Sequence, residues 1–459
     1  MKKNILQHTK LLVAFLAVFS MSSCEKTYFE DINNDPNNPT AVPPKVLLPT
    51  IQASLAYAQG GDMARYTSLF TQQITGNARQ FAVYNNLNFT ESDFDNLWRL
   101  NLYAGPLMDN YTLIKLCKDN NYIHYGAVAK IMMAYSLMLT TDVFGDIPYS
   151  QAFQGTANIS PAYDRQEALY SEVSRLINEG IAEISASDAS GVEVHGEDLM
   201  FGGDYDLWTR FAHSLEARHA IHLTKRNGNA AAATEALSHS AEGFTSNDDD
   251  AQLVFGDVET SANPWYQFDG QRGDISYAGY LIDTLMPALN DPRSSLYSDG
   301  SGGPGAFYNS INSPVIFMSY AELKFIEAEA YLYLNDDASA QLALTEAVLA
   351  NMSKLGVTDT GLVNPFLRDH CTLSGTSADK LNTIMSQKYI ALYQSPEAWT
   401  DWRRTGIPAL SVPTDAAINE IPRRFLYPQS EAENNSASLN AAISAQGGAD
   451  LTDRVWWDN

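Results

Sequence analysis

Residues 317–334, FMSYAELKFIEAEAYLYL, and residues 338–354, ASAQLALTEAVLANMSK, are separated only by Asn335-Asp336-Asp337. Apolar residues recur through both runs at helical spacing, and the three polar residues between them favour a turn. The spacing predicts a helix–turn–helix.

The same reading extends outward in both directions. Asp93 to Cys117 has helical spacing with Pro106 near its middle, where a kink is expected. Tyr122 to Leu139 (YIHYGAVAKIMMAYSLML) is apolar nearly all round and is interrupted by Lys130. Such a run reads as a buried helix, since it falls short of a comfortable membrane span. Gln166 to Ile184 is amphipathic. Tyr205 to Arg226 is another helical run, closed by Asn227-Gly228. Ala378 to Tyr393 completes the series. The class implied is mainly α: tetratricopeptide-like helix pairs in an α-α superhelix, each pair burying a face against the next. No strict repeat period is visible.

Two long stretches interrupt the helical pattern. Residues 71–92 (TQQITGNARQFAVYNNLNFTES) and 255–313 are rich in aromatics, glycine and amides. Long insertions without helical period are commonly functional, and aromatic enrichment argues against disorder. The tail from Thr405 reads as largely loop and runs to Val455-Trp456-Trp457-Asp458-Asn459.

The N-terminus reads as a processed leader. Lys2, Lys3 and Lys10 flank an apolar run, Leu11 to Phe19, then Ser20-Met21-Ser22-Ser23 and Cys24. The run is too short to span a bilayer and has the length of a secretory core. The order is that of a lipobox, with Met21 where Leu is more usual. Residues 1–23 are therefore expected to be a lipoprotein signal peptide, and Cys24 the lipid anchor. Two or three acyl chains at about 0.8 kcal/mol per methylene hold a protein where one would not. Residues 24–44 are acidic and rich in Asn and Pro, and read as a tether. Residues 45–459 read as one domain, with helix-pair cores at about 93–226 and 317–394.

Charge narrows the partners. The chain carries 54 Asp and Glu against 29 Lys and Arg, a formal charge of −25. Losing the three lysines of the leader makes the remainder more negative still. This excludes nucleic acid and anionic lipid surfaces as natural partners. With Cys24 acylated, Cys117 and Cys371 remain. Cys117 sits in the apolar run YTLIKLCK, so two free buried thiols are expected.

Several clusters invite a chemical reading. Asp31, Asn33 and Asp35 have calcium-loop spacing, but Pro36 stands where such a loop needs Gly and Val42 where it needs Glu. Glu216, His219 and His222 share one helical face and could ligate zinc; a packing face is the simpler reading. Glu397, Asp401, Arg403 and Arg404 read as arginines paired with carboxylates beside Trp399 and Trp402, not as a catalytic acid pair. Asn247 to Asp250 reads as a solvated loop between helix and strand. No G-x-S-x-G, HExxH, Walker A or CxxC motif occurs. No enzyme, cofactor or metal is expected. Sugar rings stack on aromatic faces and need amides, carboxylates and arginine at their rim. Peptides would use the same aromatics. Phe81, Tyr84, Asn85, Asn86 and Asn88 supply that mixture in the first loop stretch. Trp265, Tyr266, Arg272, Asp274, Tyr277 and Tyr280 supply it in the second.

Ten segments in order resemble a known family. They are DINNDPNNPT (31–40), TDVFGDIPYSQAF (141–153), LWTRFAHSLEARHA (207–220), SNDDDAQLVF (246–255), NPWYQF (263–268) and NDPR (290–293). YAELKFIEAEA (320–330), QKYIALYQSPEAWTDWRRTGIPAL (387–410), IPRRFLYPQSE (421–431) and the VWW of 455–457 follow. The whole is similar to the SusD/RagB nutrient-binding outer-membrane lipoproteins of Bacteroidetes. His213, Glu216 and His219 depart from the residue types usual in that helix. The resemblance implies a tetratricopeptide-like domain with a ligand face of irregular loops. It also implies docking on a SusC-like TonB-dependent porin, capture of glycan or peptide fragments, and an outer-membrane location facing the cell exterior. Two alternatives stand beside it. A protein-interaction scaffold would have no small-ligand site among the aromatic loops, and a surface glycan hydrolase would turn over substrate.

Overall fold

The computed structural model describes residues 42–308 and 310–459. The leader, Cys24, the Asp31–Asp35 cluster and most of the tether lie outside the described residues. In chain order the main helices are α1 (Pro44–Ala58), α2 (Ala64–Phe70), α3 (Arg79–Asn85), α4 (Met108–Asn120), α5 (Ile123–Phe144), α6 (Gln166–Ile184) and α7 (Tyr205–His222). They continue as α8 (Asn229–Ser240), α9 (Pro264–Arg272), α10 (Tyr320–Tyr333), α11 (Asp337–Lys354), α12 (Thr360–His370), α13 (Ser377–Ala391), α14 (Pro396–Thr405) and α15 (Ser436–Gln446). Four short strands form two antiparallel pairs: β1 (Thr75–Gly76) with β3 (Ile275–Ser276), and β2 (Ala251–Leu253) with β4 (Val315–Met318).

Helices stack in chain order. α4 packs on α5, α5 on α6, α6 on α7, α7 on α8, α8 on α10, and α10 on α11 and α13. α5 is long and apolar enough to cross a membrane, yet 89% of its apolar window is buried inside the fold. Neighbours on several sides explain why it is apolar all round. Gly180 permits the close approach of α6: a Cβ there would stand 2.7 Å from Ile131 Cγ1 and 3.1 Å from the carbonyl of Ala127. Lys130 reaches out of α5 to Glu183 and, at 3.1 Å, to Glu179.

Local signals placed many ends. The kink near Pro106 lies one residue earlier, at Gly105 (φ −101°, ψ −115°). Asp204 caps α7, Asp336 caps α11, and Thr376 with Asp379 forms a capping box on α13. Cys117 and Cys371 are free and buried.

Other boundaries moved. Phe317 and Met318 belong to β4, and the helix begins at Tyr320 behind its Ser319 cap. α7 stops at His222, and a separate turn over Thr224–Asn227 follows before Gly228. The two loop stretches contain helices α3 and α9, and the tail contains Gln429–Asn434 and α15.

The central helices are locked by buried charge. Arg404 on α14 forms a two-pronged pair with Glu329 on α10, at 2.8 and 2.9 Å, and also reaches Asp401 at 2.6 Å. Lys388 on α13 meets Asp401 at 2.7 Å. Burial opposes charge on Asp401, but Lys388 and Arg404 overcome it and hold its carboxyl down at about 2. Arg218 on α7 pairs with Glu322 on α10 at 2.7 Å through both prongs. Arg403 departs from the expected carboxylate pairing. Its guanidinium lies between Trp399, at 3.8 Å, and Trp457, at 4.6 Å, and donates to the carbonyls of Asp142 and Arg423. Arg423, not Arg403 or Arg404, lies over Trp402.

Removing one partner of a buried pair leaves an uncompensated charge, at a cost of about 3–5 kcal/mol. Arg404→Met should lose stability on that scale in urea denaturation. Lys115→Ala, which breaks the exposed Lys115–Asp119 pair, should leave the midpoint in place.

Candidate functional site

The two aromatic loop stretches, about 200 residues apart in sequence, meet in space. β1 and β3 pair Thr75 with Ser276 and Gly76 with Ile275. Asn77 N–H donates to the carbonyl of Asp274 at 2.9 Å, and Leu281 N–H to that of Gln72 at 3.3 Å. Gly279 is required at this seam: its φ is +129°, and a Cβ would stand 2.7 Å from the Gln72 carbonyl. A third segment joins in, for Gln72 Nε2 donates to the carbonyl of Ser411 at 2.5 Å and Ala417 N–H to that of Asn86 at 2.8 Å.

Asp274 is fully buried beneath two arginines. Arg272 Nε donates to it at 2.9 Å, and Arg79, itself 59% exposed, forms the second ion pair. Arg79 also donates to the carbonyl of Arg272. Phe268 on α9 meets Phe81 at 5.0 Å with the rings tilted by 57°, and the Arg65 guanidinium lies 4.1 Å from its ring centre. The surface is therefore tied by backbone pairing, ion pairs and aromatic contact at once.

The candidate residues divide by burial. Phe81, Tyr84, Trp265, Asp274 and Tyr277 are buried and form the floor. Tyr84 lies flat on Phe89, with centroids 4.4 Å apart, and its hydroxyl donates to Asp93. Trp265 Nε1 donates to the Tyr277 hydroxyl at 2.8 Å, and burial pushes that phenol well above its usual range. These five have their faces or polar ends committed to the protein. Asn85, Asn86, Tyr266, Arg272 and Tyr280 are half-buried, and Asn88 is exposed. Asn85 Oδ1 accepts from Gly76 N–H at 3.1 Å. Arg79, Gln72 and Phe268 were not singled out from the sequence. Arg79 has φ +48°, unusual for a non-glycine residue, but nothing in the residue order signals it.

The suspected zinc face is a packing face. His222 Nε2 lies 2.6 Å from Glu397, and its Nδ1 lies 3.0 Å from the Tyr170 hydroxyl. Glu216 accepts from Ser174 at 2.9 Å. His219 Nε2 donates to the Tyr170 carbonyl at 3.0 Å, while its Nδ1 has no hydrogen bond. Asn247–Asp250 is not the solvated loop expected: Asp249 and Asp250 are buried, and each is compensated by a cation, Arg210 and Lys354 respectively.

Residues 36–428 match the family model for SusD-like proteins, described as starch-binding and associating with the outer membrane. The chain belongs to this SusD-like family, whose members are non-catalytic binding proteins associated with the outer membrane. A comparison with curated protein sequences gave no match. Among solved structures, a SusD/RagB family protein from Bacteroides thetaiotaomicron superposes with TM-score 0.76 at 24% identity, covering 91% of this chain and 99% of that one. A chitin-binding SusD homologue from Flavobacterium johnsoniae gives 0.78 at 23% identity, covering 91% and 98%. A SusD homologue from Bacteroides fragilis gives 0.74 at 22%, covering 91% and 100%. These likenesses establish the tetratricopeptide-like helical fold.

His219 offers a pH test. Burial drives its pKa down to about 4, against the opposing pull of the Tyr170 carbonyl. The unfolded chain therefore binds the proton first, and stability falls as pH drops from about 6.5 toward 4. His219→Gln keeps a donor for that carbonyl and does not titrate. Between pH 7 and pH 4 the parent should lose about 3 kcal/mol more than this variant in urea titrations.

Proposed function

We propose that this protein is a cell-surface lipoprotein that binds nutrient oligomers at the joined loops and delivers them to a SusC-like TonB-dependent porin. The pairing of β1 with β3 carries the reading, because it makes one surface of two stretches that each hold aromatics and amides. In it, Tyr266 and Tyr280 offer ring faces to the ligand. Asn85, Asn86, Asn88 and Arg272 offer hydrogen bonds, while Phe81, Tyr84, Trp265, Asp274 and Tyr277 hold the floor beneath them. Glycan is favoured over peptide: the family is described as starch-binding, and one structural relative is described as chitin-binding. Lipid on Cys24 holds the protein to the outer membrane.

Calorimetric titration with oligosaccharides and with peptides separates the ligand classes. Tyr266→Ala with Tyr280→Ala should weaken binding by about tenfold or more, since each stacked ring is worth about 0.5–1.5 kcal/mol. Unchanged affinity would remove this surface from the ligand site. Cys24→Ser should shift the protein from the membrane to the soluble fraction and lower its co-purification with the porin.

A further inference from the structure

The chain between α6 and α7 folds back onto the start of α5. Asp188 Oδ2 accepts from the first two N–H groups of that helix, Ile123 at 2.8 Å and His124 at 3.2 Å. Its other oxygen accepts from Ser190 N–H at 2.7 Å. Glu193 Oε2 lies 2.6 Å from His124 Nδ1 and accepts from the Tyr205 hydroxyl at 2.7 Å. His124 Nε2 lies 3.0 Å from the Ala186 carbonyl, and the Tyr205 ring sits beside the imidazole with centroids 4.8 Å apart. One ring nitrogen of His124 and one oxygen from each of Asp188 and Glu193 all lie within 4.8 Å of one another. All three residues are half-buried.

A count of protons shows what this cluster lacks. Both ring nitrogens of His124 face acceptors, so each contact needs a proton and the ring is an imidazolium. Burial opposes that charge, but Glu193 and the Ala186 carbonyl raise the pKa above its usual value. Burial also opposes charge on Asp188 and Glu193, yet their hydrogen bonds hold both below the usual carboxylate range. Two carboxylates against one imidazolium leave one negative charge uncompensated. A divalent cation in place of the Nδ1 proton brings the cluster to neutrality. The dipole at the start of α5 opposes a cation with only about half a charge, against two full carboxylates.

We propose that His124, Asp188 and Glu193 form a binding site for a divalent transition-metal ion, zinc by preference, which takes the Nδ1 lone pair and one oxygen of each carboxylate. This departs from the sequence reading, which placed no metal. The outer bonds of such a site are already made. His124 Nε2–H stays on the Ala186 carbonyl, the contact that fixes the tautomer of a metal-bound imidazole. Backbone N–H groups hold Asp188, and the Tyr205 hydroxyl holds Glu193. Zinc at about 2.0–2.2 Å from each donor sets the donors roughly 3.4 Å apart, so the cluster tightens by about an ångström. One nitrogen with two oxygens suits zinc better than calcium or magnesium, which take oxygen donors. The ion would staple the segment between α6 and α7 to the start of α5. Metal and proton compete for one lone pair, so each ion bound releases a proton and affinity falls with pH. The titratable groups around His124 are Asp188, Glu193 and Tyr205, with the Tyr125–Glu197 pair beside them.

Calorimetric titration of the full chain with zinc chloride, after treatment with a chelator, tests the site. The parent should bind zinc at pH 7.5 and lose about tenfold or more in affinity at pH 5.5. Heats in two buffers of different ionisation enthalpy should show one proton released per ion. His124→Gln and Glu193→Gln each replace a ligand with a neutral amide of similar reach, and each should bind one zinc fewer than the parent. The parent's thermal midpoint should rise in zinc, and the variants' should not. Should His124→Gln fail to fold, Glu193→Gln decides. The same zinc stoichiometry and affinity in parent and variants overturns the site, as does binding without proton release. Calcium or magnesium bound more tightly than zinc overturns it too. No zinc heat with the parent overturns the site and leaves the nutrient-binding reading untouched.

Discussion

Everything in this fold hangs on how charge is buried around α14. Arg404, Asp401, Lys388 and Glu329 are closed off from water, and each finds an opposite partner. Such a set gives little net stability over an apolar core, but it tolerates almost no displacement. α10, α13 and α14 are thereby fixed in mutual register. The Arg218–Glu322 pair adds α7, and the contact between His222 and Glu397 adds it a second time.

From this frame an aromatic chain leads to the surface. Trp399 on α14 stacks on Phe425 at 5.4 Å, Phe425 on Phe94 at 4.9 Å, Phe94 on Phe89 at 5.7 Å, and Phe89 on Tyr84. Tyr84 belongs to α3, within the first loop stretch. The loops that look irregular in sequence thus rest, through these rings, on the buried frame around α14. A preorganised surface of this kind suits binding without chemistry, because less conformational freedom is lost when a ligand arrives.

Much of this was legible in the residue order. Helical spacing placed α6, α10, α11 and α13 closely, because those runs carry both a period and a stop; α5 was found from its apolar run but continues past Leu139 to Phe144. Phe317 and Met318 were misplaced because a short apolar run reads equally as helix or strand. Pairing with residues 251–253 decides it, and that contact is remote in sequence. α8 escaped notice because its alanines mark no polar face. For the candidate site, composition located the two stretches but could not separate floor from surface: Trp265 and Tyr266 are neighbours, and only the first is buried.

The placing of residues 455–459 has a consequence for the core. Trp457 is wholly buried, and its indole N–H donates to Asp142 at 2.9 Å. Asp458 gathers Lys225, Arg423 and Arg454 around one carboxylate. Residues 455–459 act as a clasp: they supply one of the two tryptophans that hold Arg403, a partner for Asp142 on α5, and the carboxylate that Lys225, Arg423 and Arg454 share. Removing them would leave those buried and half-buried groups without partners on several elements at once.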